Sequence, residues 1–244
     1  MRFGTGKILG VLAPAMLLLA AATPAGGAHD AAPLSVSIER SQGHGARAAA
    51  PVNILTINDL RGVDNRITVF VAPSGRLTLI APEGLADPDG ASGTNCTLDN
   101  AQPGANMATQ MSCAPGYVQV IVGELAAGKD TFSGSPDLTI PIGTVVDGQR
   151  RPLSGGIGND RIVSGTADDL LDGGAGPDSL VANQGEDLLS GGGGKDKLSG
   201  GPGGDSLFGG GGADKLIGGP ARDLCHGGAR RDRAKACEIL QAVP

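Results

Sequence analysis

Nine aspartates, Asp160, Asp169, Asp178, Asp187, Asp196, Asp205, Asp214, Asp223 and Asp232, follow one another at a constant interval of nine residues. Laid in register, Gly155 to Lys235 reads GGIGNDRIV, SGTADDLLD, GGAGPDSLV, ANQGEDLLS, GGGGKDKLS, GGPGGDSLF, GGGGADKLI, GGPARDLCH and GGARRDRAK. Glycine fills the first two positions and usually the fourth, aspartate the sixth, and an apolar residue the eighth. Carboxylates repeated in this way suit a hard divalent cation, which takes six to eight oxygen ligands at about 2.3–2.6 Å from carboxylates and backbone carbonyls. Glycine reaches the positive-φ conformations that turn carbonyls inward, and without a Cβ it lets neighbouring backbone come close. Adjacent pairs such as Asp168-Asp169 could instead suggest acid–base chemistry, but one member sits on the comb and the other in its turn. A structural role is the expected one.

The elements that position these aspartates follow from the eighth position. Ile162, Leu171, Leu180, Leu189, Leu198, Leu207 and Leu216 form an apolar column that decays to Cys225 and Ala234. A short strand around each would bury its one large side chain between two stacked sheets, and decay at the last units is what a terminal cap looks like. The nonapeptide is GGxGxDxUx, and over these residues the chain resembles the hemolysin-type calcium-binding repeat family, the RTX proteins. The resemblance implies an all-β fold, a right-handed parallel β-roll of nine nonapeptide repeats with two repeats per turn, preceded by a mostly β N-terminal extension.

It further implies that Asp160, Asp178, Asp196, Asp214 and Asp232 line one edge of the roll, that Asp169, Asp187, Asp205 and Asp223 line the other, and that Ca2+ sits between consecutive loops. Gaps between neighbours on the two edges allow at most about seven ions. The best sites are expected at Asp160, Asp178, Asp196, Asp205 and Asp214. Elsewhere Ser164, Ala167, Ala182, Asn183 and Ala221 stand where the pattern has glycine, and Lys195, Arg222 and Arg231 adjoin the aspartate column. One apolar residue per nine is too few to offset the entropy of ordering the chain, so the repeat block is expected to fold on binding calcium.

Residues 1–28 carry Arg2 and Lys7, an apolar run from Ile8 through Ala22, and small residues up to Ala28, the pattern of a cleaved secretory signal peptide. The protein is accordingly expected outside the cell, without a membrane span in the mature chain. The N-terminal leader differs from the C-terminal export signal best known in the resembling family, and the family's pore-forming activity is not carried over. Four cysteines in an exported chain suggest two disulfides, with three connectivities open. Local pairing, Cys96 with Cys113 and Cys225 with Cys237, is preferred, the second clamping the end of the roll. Zinc is not expected, because the spacings lack a CxxC form.

Residues 29–51, rich in Ala, Gly, Ser and Pro, read as a flexible linker. Residues 52–150 hold β-branched runs at Val52 to Ile57, Arg66 to Val71, Arg76 to Ile80, Val118 to Val122 and Leu138 to Ile142. Gly128-Lys129-Asp130-Thr131-Phe132 looks like a worn repeat. The region reads either as irregular extra rungs or as a separate small β-sandwich, and residues 151–244 as the roll with its disulfide cap. Neither HExxH nor GxSxG occurs, and His29, His44 and His226 lack convincing partners, so no catalysis is expected. With a net charge of -6 and 2% aromatic residues, nucleic-acid binding is unsupported. The basic run Arg230, Arg231, Arg233, Lys235 could meet a cell-surface or polysaccharide ligand or simply balance an acidic end. An adhesin or matrix component is the alternative function, and a hydrolase in residues 52–150 a more distant one.

Overall fold

Eighteen residues separate paired positions throughout the repeats, and that offset sets the architecture of the C-terminal third. The computed structural model describes residues 34–40, 53–59, 62–86, 95–99, 108–146 and 149–242. The expected signal peptide, most of the expected linker, His29 and His44 lie outside them. The described residues are all-β, without a helix, and form a parallel-rich β-roll. No helix among them is long and apolar enough to cross a membrane.

One face of the roll stacks Leu153–Gly158, Leu170–Ala175, Leu188–Gly193, Ser206–Gly211 and Leu224–Ala229, in parallel, and ends on Ile239–Gln241. The other face stacks Arg161–Val163, Ser179–Val181, Lys197–Ser199, Lys215–Ile217 and Arg233–Lys235. Strands of the first face are six residues long because they run on into the following glycines. Those of the second stop after three. Pro202 and Pro220 stand where two of the second-face strands would continue, and proline has no amide to give the ladder.

Within the roll, Leu171 pairs with Leu189 and Leu189 with Leu207, while Ile162 pairs with Leu180 and Leu180 with Leu198. These columns are buried, and they end at Cys225 and at the partly buried Ala234. There the Cys225–Cys237 disulfide closes the stack, and Cys96–Cys113 joins two directly paired strand residues. Both bridges match the local pairing expected from the sequence.

Before the repeats, each face of the roll runs on for two further strands as irregular rungs. The first face continues through Val120–Glu124 and Asn53–Asp59, and the second through Thr131–Gly134 and Arg66–Val71, all in parallel. Beyond these, antiparallel pairing takes over. Leu34–Arg40 lies against Asn53–Asp59, Leu77–Ala86 against Arg66–Val71, and Ala108–Cys113 links Leu77–Ala86 to Cys96–Asp99. Leu34–Arg40 also pairs with Leu77–Ala86, so the two faces meet at this end. A single buried cluster extends from Leu34 to Cys225.

Two local expectations change. Leu34–Arg40, inside the stretch read as a linker, is a strand whose Leu34 and Val36 are fully buried; its alternating apolar residues outweigh the loop-like composition around it. Leu138 to Ile142 is not a strand. Pro141 has no amide, and the Ile142 amide is given to the Asp169 side chain at 2.7 Å.

Candidate metal centre

Each repeat aspartate sits between its glycine loop and the following strand, and its backbone and side chain both serve the next rung. On the first edge the Asp160 amide donates to Asp178 Oδ1 at 2.8 Å, Asp178 to Asp196 Oδ1 at 2.8 Å, Asp196 to Asp214 Oδ1 at 2.9 Å and Asp214 to Asp232 Oδ1 at 2.9 Å. The second edge repeats this from Asp169 to Asp187 at 2.8 Å, Asp187 to Asp205 at 3.0 Å and Asp205 to Asp223 at 2.8 Å. The Asp178 and Asp196 carbonyls in turn accept the Lys197 and Lys215 amides, both at 2.9 Å. The nine aspartates therefore form two continuous ladders, divided as the resemblance implied.

One oxygen of every carboxylate is left over. All nine side chains are buried, and none of the nine Oδ2 atoms has a hydrogen-bond partner. A buried anionic oxygen without a donor is costly. The glycine at the first position is what lets it approach the backbone so closely: a Cβ on Gly155, Gly173, Gly191 or Gly209 would lie 2.6 Å from Oδ2 of the aspartate five residues on. At the second position Gly156, Gly174, Gly192 and Gly210 have φ between 92° and 99°, and the carbonyl of each earlier glycine is directed at the next.

Burial disfavours the charged form of these carboxyls and raises their affinity for a proton. It pushes Asp178 and Asp187 up to about 7, and Asp169, Asp196 and Asp205 up to about 6, against the lowering effect of the donated hydrogen bonds. Neighbouring ladder carboxylates add to the rise at Asp178 and Asp187. Desolvation also raises Asp160 and Asp214. Among the described residues no three His, Cys, Asp or Glu side chains converge on one point. An ion here would have to combine ladder carboxylates with loop carbonyls, an all-oxygen set suited to a hard cation and not to zinc.

The units that depart from glycine keep the ladder. Asn183 adopts φ 70° and its Nδ2 donates to the Ser164 carbonyl at 2.8 Å; the Ser164 hydroxyl donates to the Ala182 carbonyl at 2.9 Å. Asparagine is among the few residues at ease in this region. Ala221 at φ 98° and Arg230 at φ 86° take the same kind of backbone without that advantage. His226 lies apart from both ladders, beside Phe208 with ring centroids 6.0 Å apart.

Three ladder members escape the period. Asp130 donates its amide to Asp160 Oδ1 at 2.8 Å, and its own Oδ1 accepts the Asn65 amide at 2.8 Å. Asn65 thus heads the first edge, with its side-chain Oδ1 buried and unpartnered. Glu238 Oε2 ends the second edge, accepting the Asp223 amide at 2.8 Å. The worn repeat around Asp130 and the likeness of Asn65-Arg66-Ile67 to Asp160-Arg161-Ile162 are the signals that could have found the first two. Nothing in the sequence pattern marks Glu238.

The description of the RTX calcium-binding nonapeptide repeat matches four overlapping copies, at residues 154–189, 163–198, 172–207 and 199–233. No curated protein and no solved structure matches the chain. Residues 154–233, a third of the sequence, thus belong to the RTX calcium-binding nonapeptide repeats.

Proposed function

We propose that this calcium-binding repeat protein is secreted, that Ca2+ between successive loops of each edge drives folding of the roll, and that the metal serves structure and not catalysis. The row of buried Oδ2 atoms without donors carries the reading. Asp160, Asp169, Asp178, Asp187, Asp196, Asp205, Asp214, Asp223 and Asp232 would supply the carboxylates, with at most about seven ions between them. Bound calcium contributes the positive charge that cancels repulsion between carboxylates stacked about 4.8 Å apart. Two disulfides and the leader-like residues 1–28 support export, since disulfides persist in oxidising compartments and extracellular calcium suits weak sites.

Calorimetric titration tests the site assignment. Asp196→Ala is expected to lose at least one calcium equivalent, while Asp172→Ala, off the ladder, is expected to titrate like the unaltered protein. Equal stoichiometry and heat in all three would remove Asp196 from the metal site.

A second reading, an adhesin or matrix component, is favoured by one surface feature. Arg161, Lys197, Lys215 and Arg233 lie in register on the outer side of the second face, interrupted only by Ser179, and all four are exposed without an acidic partner among the described residues. Rungs about 4.8 Å apart set their charges in a row that could follow a linear polyanion. In calcium, the protein is then expected to be retained on a sulfated polysaccharide column, and Lys197→Glu with Lys215→Glu to pass through. Absence of retention at low salt would retire this reading.

A further inference from the structure

The first-edge ladder does not stop where the repeats stop. We propose that Asp130 is the outermost carboxylate of the calcium row and that one further cation binds between the loop at residues 125–130, which lies outside the nonapeptide segment, and the first repeat loop at residues 155–160. The inference rests on the calcium reading of the repeats and extends it to a region that no repeat covers.

Asp130 precedes Asp160 by 30 residues where repeat aspartates are separated by 18, yet it occupies an equivalent place. Its amide donates to Asp160 Oδ1 at 2.8 Å, the distance at which Asp160 donates to Asp178. Its side chain is 1% exposed, and its Oδ2, like those of the nine, is buried without a partner. The strand that follows continues the match, since Phe132 pairs with Ile162 and fills the eighth position of the apolar column.

The backbone of the loop matches as well. Carbonyls of Gly156 and Gly158 face Gly174 and Gly176 in the next rung; carbonyls of Ala126 and Gly128 face Gly156 and Gly158 in the same manner. Ala126 takes φ 60° at the position where the repeats have glycine, and Gly128 takes φ 144°. A cation in this gap would have the Asp130 and Asp160 carboxylates and these loop carbonyls to draw on, an oxygen set of the kind calcium selects.

Asn65 shows why the row ends there. It offers Asp130 Oδ1 two donors, its amide at 2.8 Å and its Nδ2 at 2.9 Å, but no charge. A neutral amide closes the carboxylate row toward the N-terminal strands without needing an ion to offset another negative charge.

Equilibrium dialysis of the full chain, with bound calcium measured by atomic absorption, tests this. Asp130→Asn is expected to hold one calcium fewer than the unaltered protein, with Asp196→Asn also reduced as a reference. Full stoichiometry in Asp130→Asn beside a reduced Asp196→Asn would overturn the proposal and leave the repeat sites standing. Full stoichiometry in both would sink the repeat reading and this one with it. If Asp130→Asn loses its strand signal in calcium, hydrogen exchange of the unaltered protein decides: calcium must slow residues 125–132 as it slows 170–199, and exchange unchanged at 125–132 alone rejects the site.

Discussion

In excess chelator, amide protection over residues 170–235 is expected to collapse while protection over 53–59, 66–86 and 108–124 survives. The two parts are held by different means. Before the repeats, buried Leu55, Ile57, Val69, Leu79, Met111, Ile121 and Leu138 share one core, and antiparallel strands and the Cys96–Cys113 bridge surround them. Burial of such side chains contributes about 1.5–3 kcal/mol apiece. In the repeats each nine-residue unit offers one such side chain and one buried carboxylate with an unpaired oxygen. Without a cation the second opposes what the first contributes. Hydrogen exchange with and without chelator, accompanied by circular dichroism of the full chain, measures the outcome, and undiminished protection of 170–235 in chelator would show that the roll needs no metal to close.

A single side chain added at a loop glycine is expected to do nearly as much damage when it lies on the ladder side of the loop. Gly192→Val places a β-branched residue at φ 92°, where its Cβ would run into the Gly174 carbonyl of the preceding rung. The left-handed backbone alone costs about 1–3 kcal/mol, and separating the rungs also opens the gap in which an ion would sit. The neighbouring Gly193→Val is the control: a Cβ there meets nothing within 4 Å, and surface changes of this kind stay within about 0.5 kcal/mol. Thermal melts in saturating calcium should therefore separate the two, with Gly192→Val several degrees lower or unfolded and Gly193→Val close to the unaltered protein. Equal melting would show that the loops adapt freely, contrary to the close carbonyl approach described above.

Legibility differed along the chain for physical reasons. Where one unit repeats without insertion, the comb of aspartates and the apolar column are plain in the sequence, and the resemblance, by implying two repeats per turn, placed them on two faces and two edges. Cys225–Cys237 was legible because it lies where that column fails. Before Gly155 no period exists. Strands such as Arg66–Val71 announced themselves through β-branched residues, but the pairing in this region depends on contacts up to 66 residues apart, as between Ile54 and Val120, and composition carries no such distances. Leu34–Arg40 was hidden by the small residues around it. Asp130 was visible as a fragment, and its membership of the ladder emerged only from the hydrogen bond to Asp160. Glu238 replaces an aspartate at a spacing of fifteen, so neither its type nor its position obeys the rule that revealed the others.

Leu34–Arg40 bridges both faces at one end of the stack, and at the other the last strands are only three residues long, with Arg233 and Lys235 exposed on one and the disulfide tying down the chain beside the next. Parallel stacks with open ends are templates for fibre growth, each terminal strand inviting another molecule. Here the far end presents a short, charged, tethered strand. Addition of a second molecule at that end is consequently disfavoured, and the length of the stack is set by the number of its rungs.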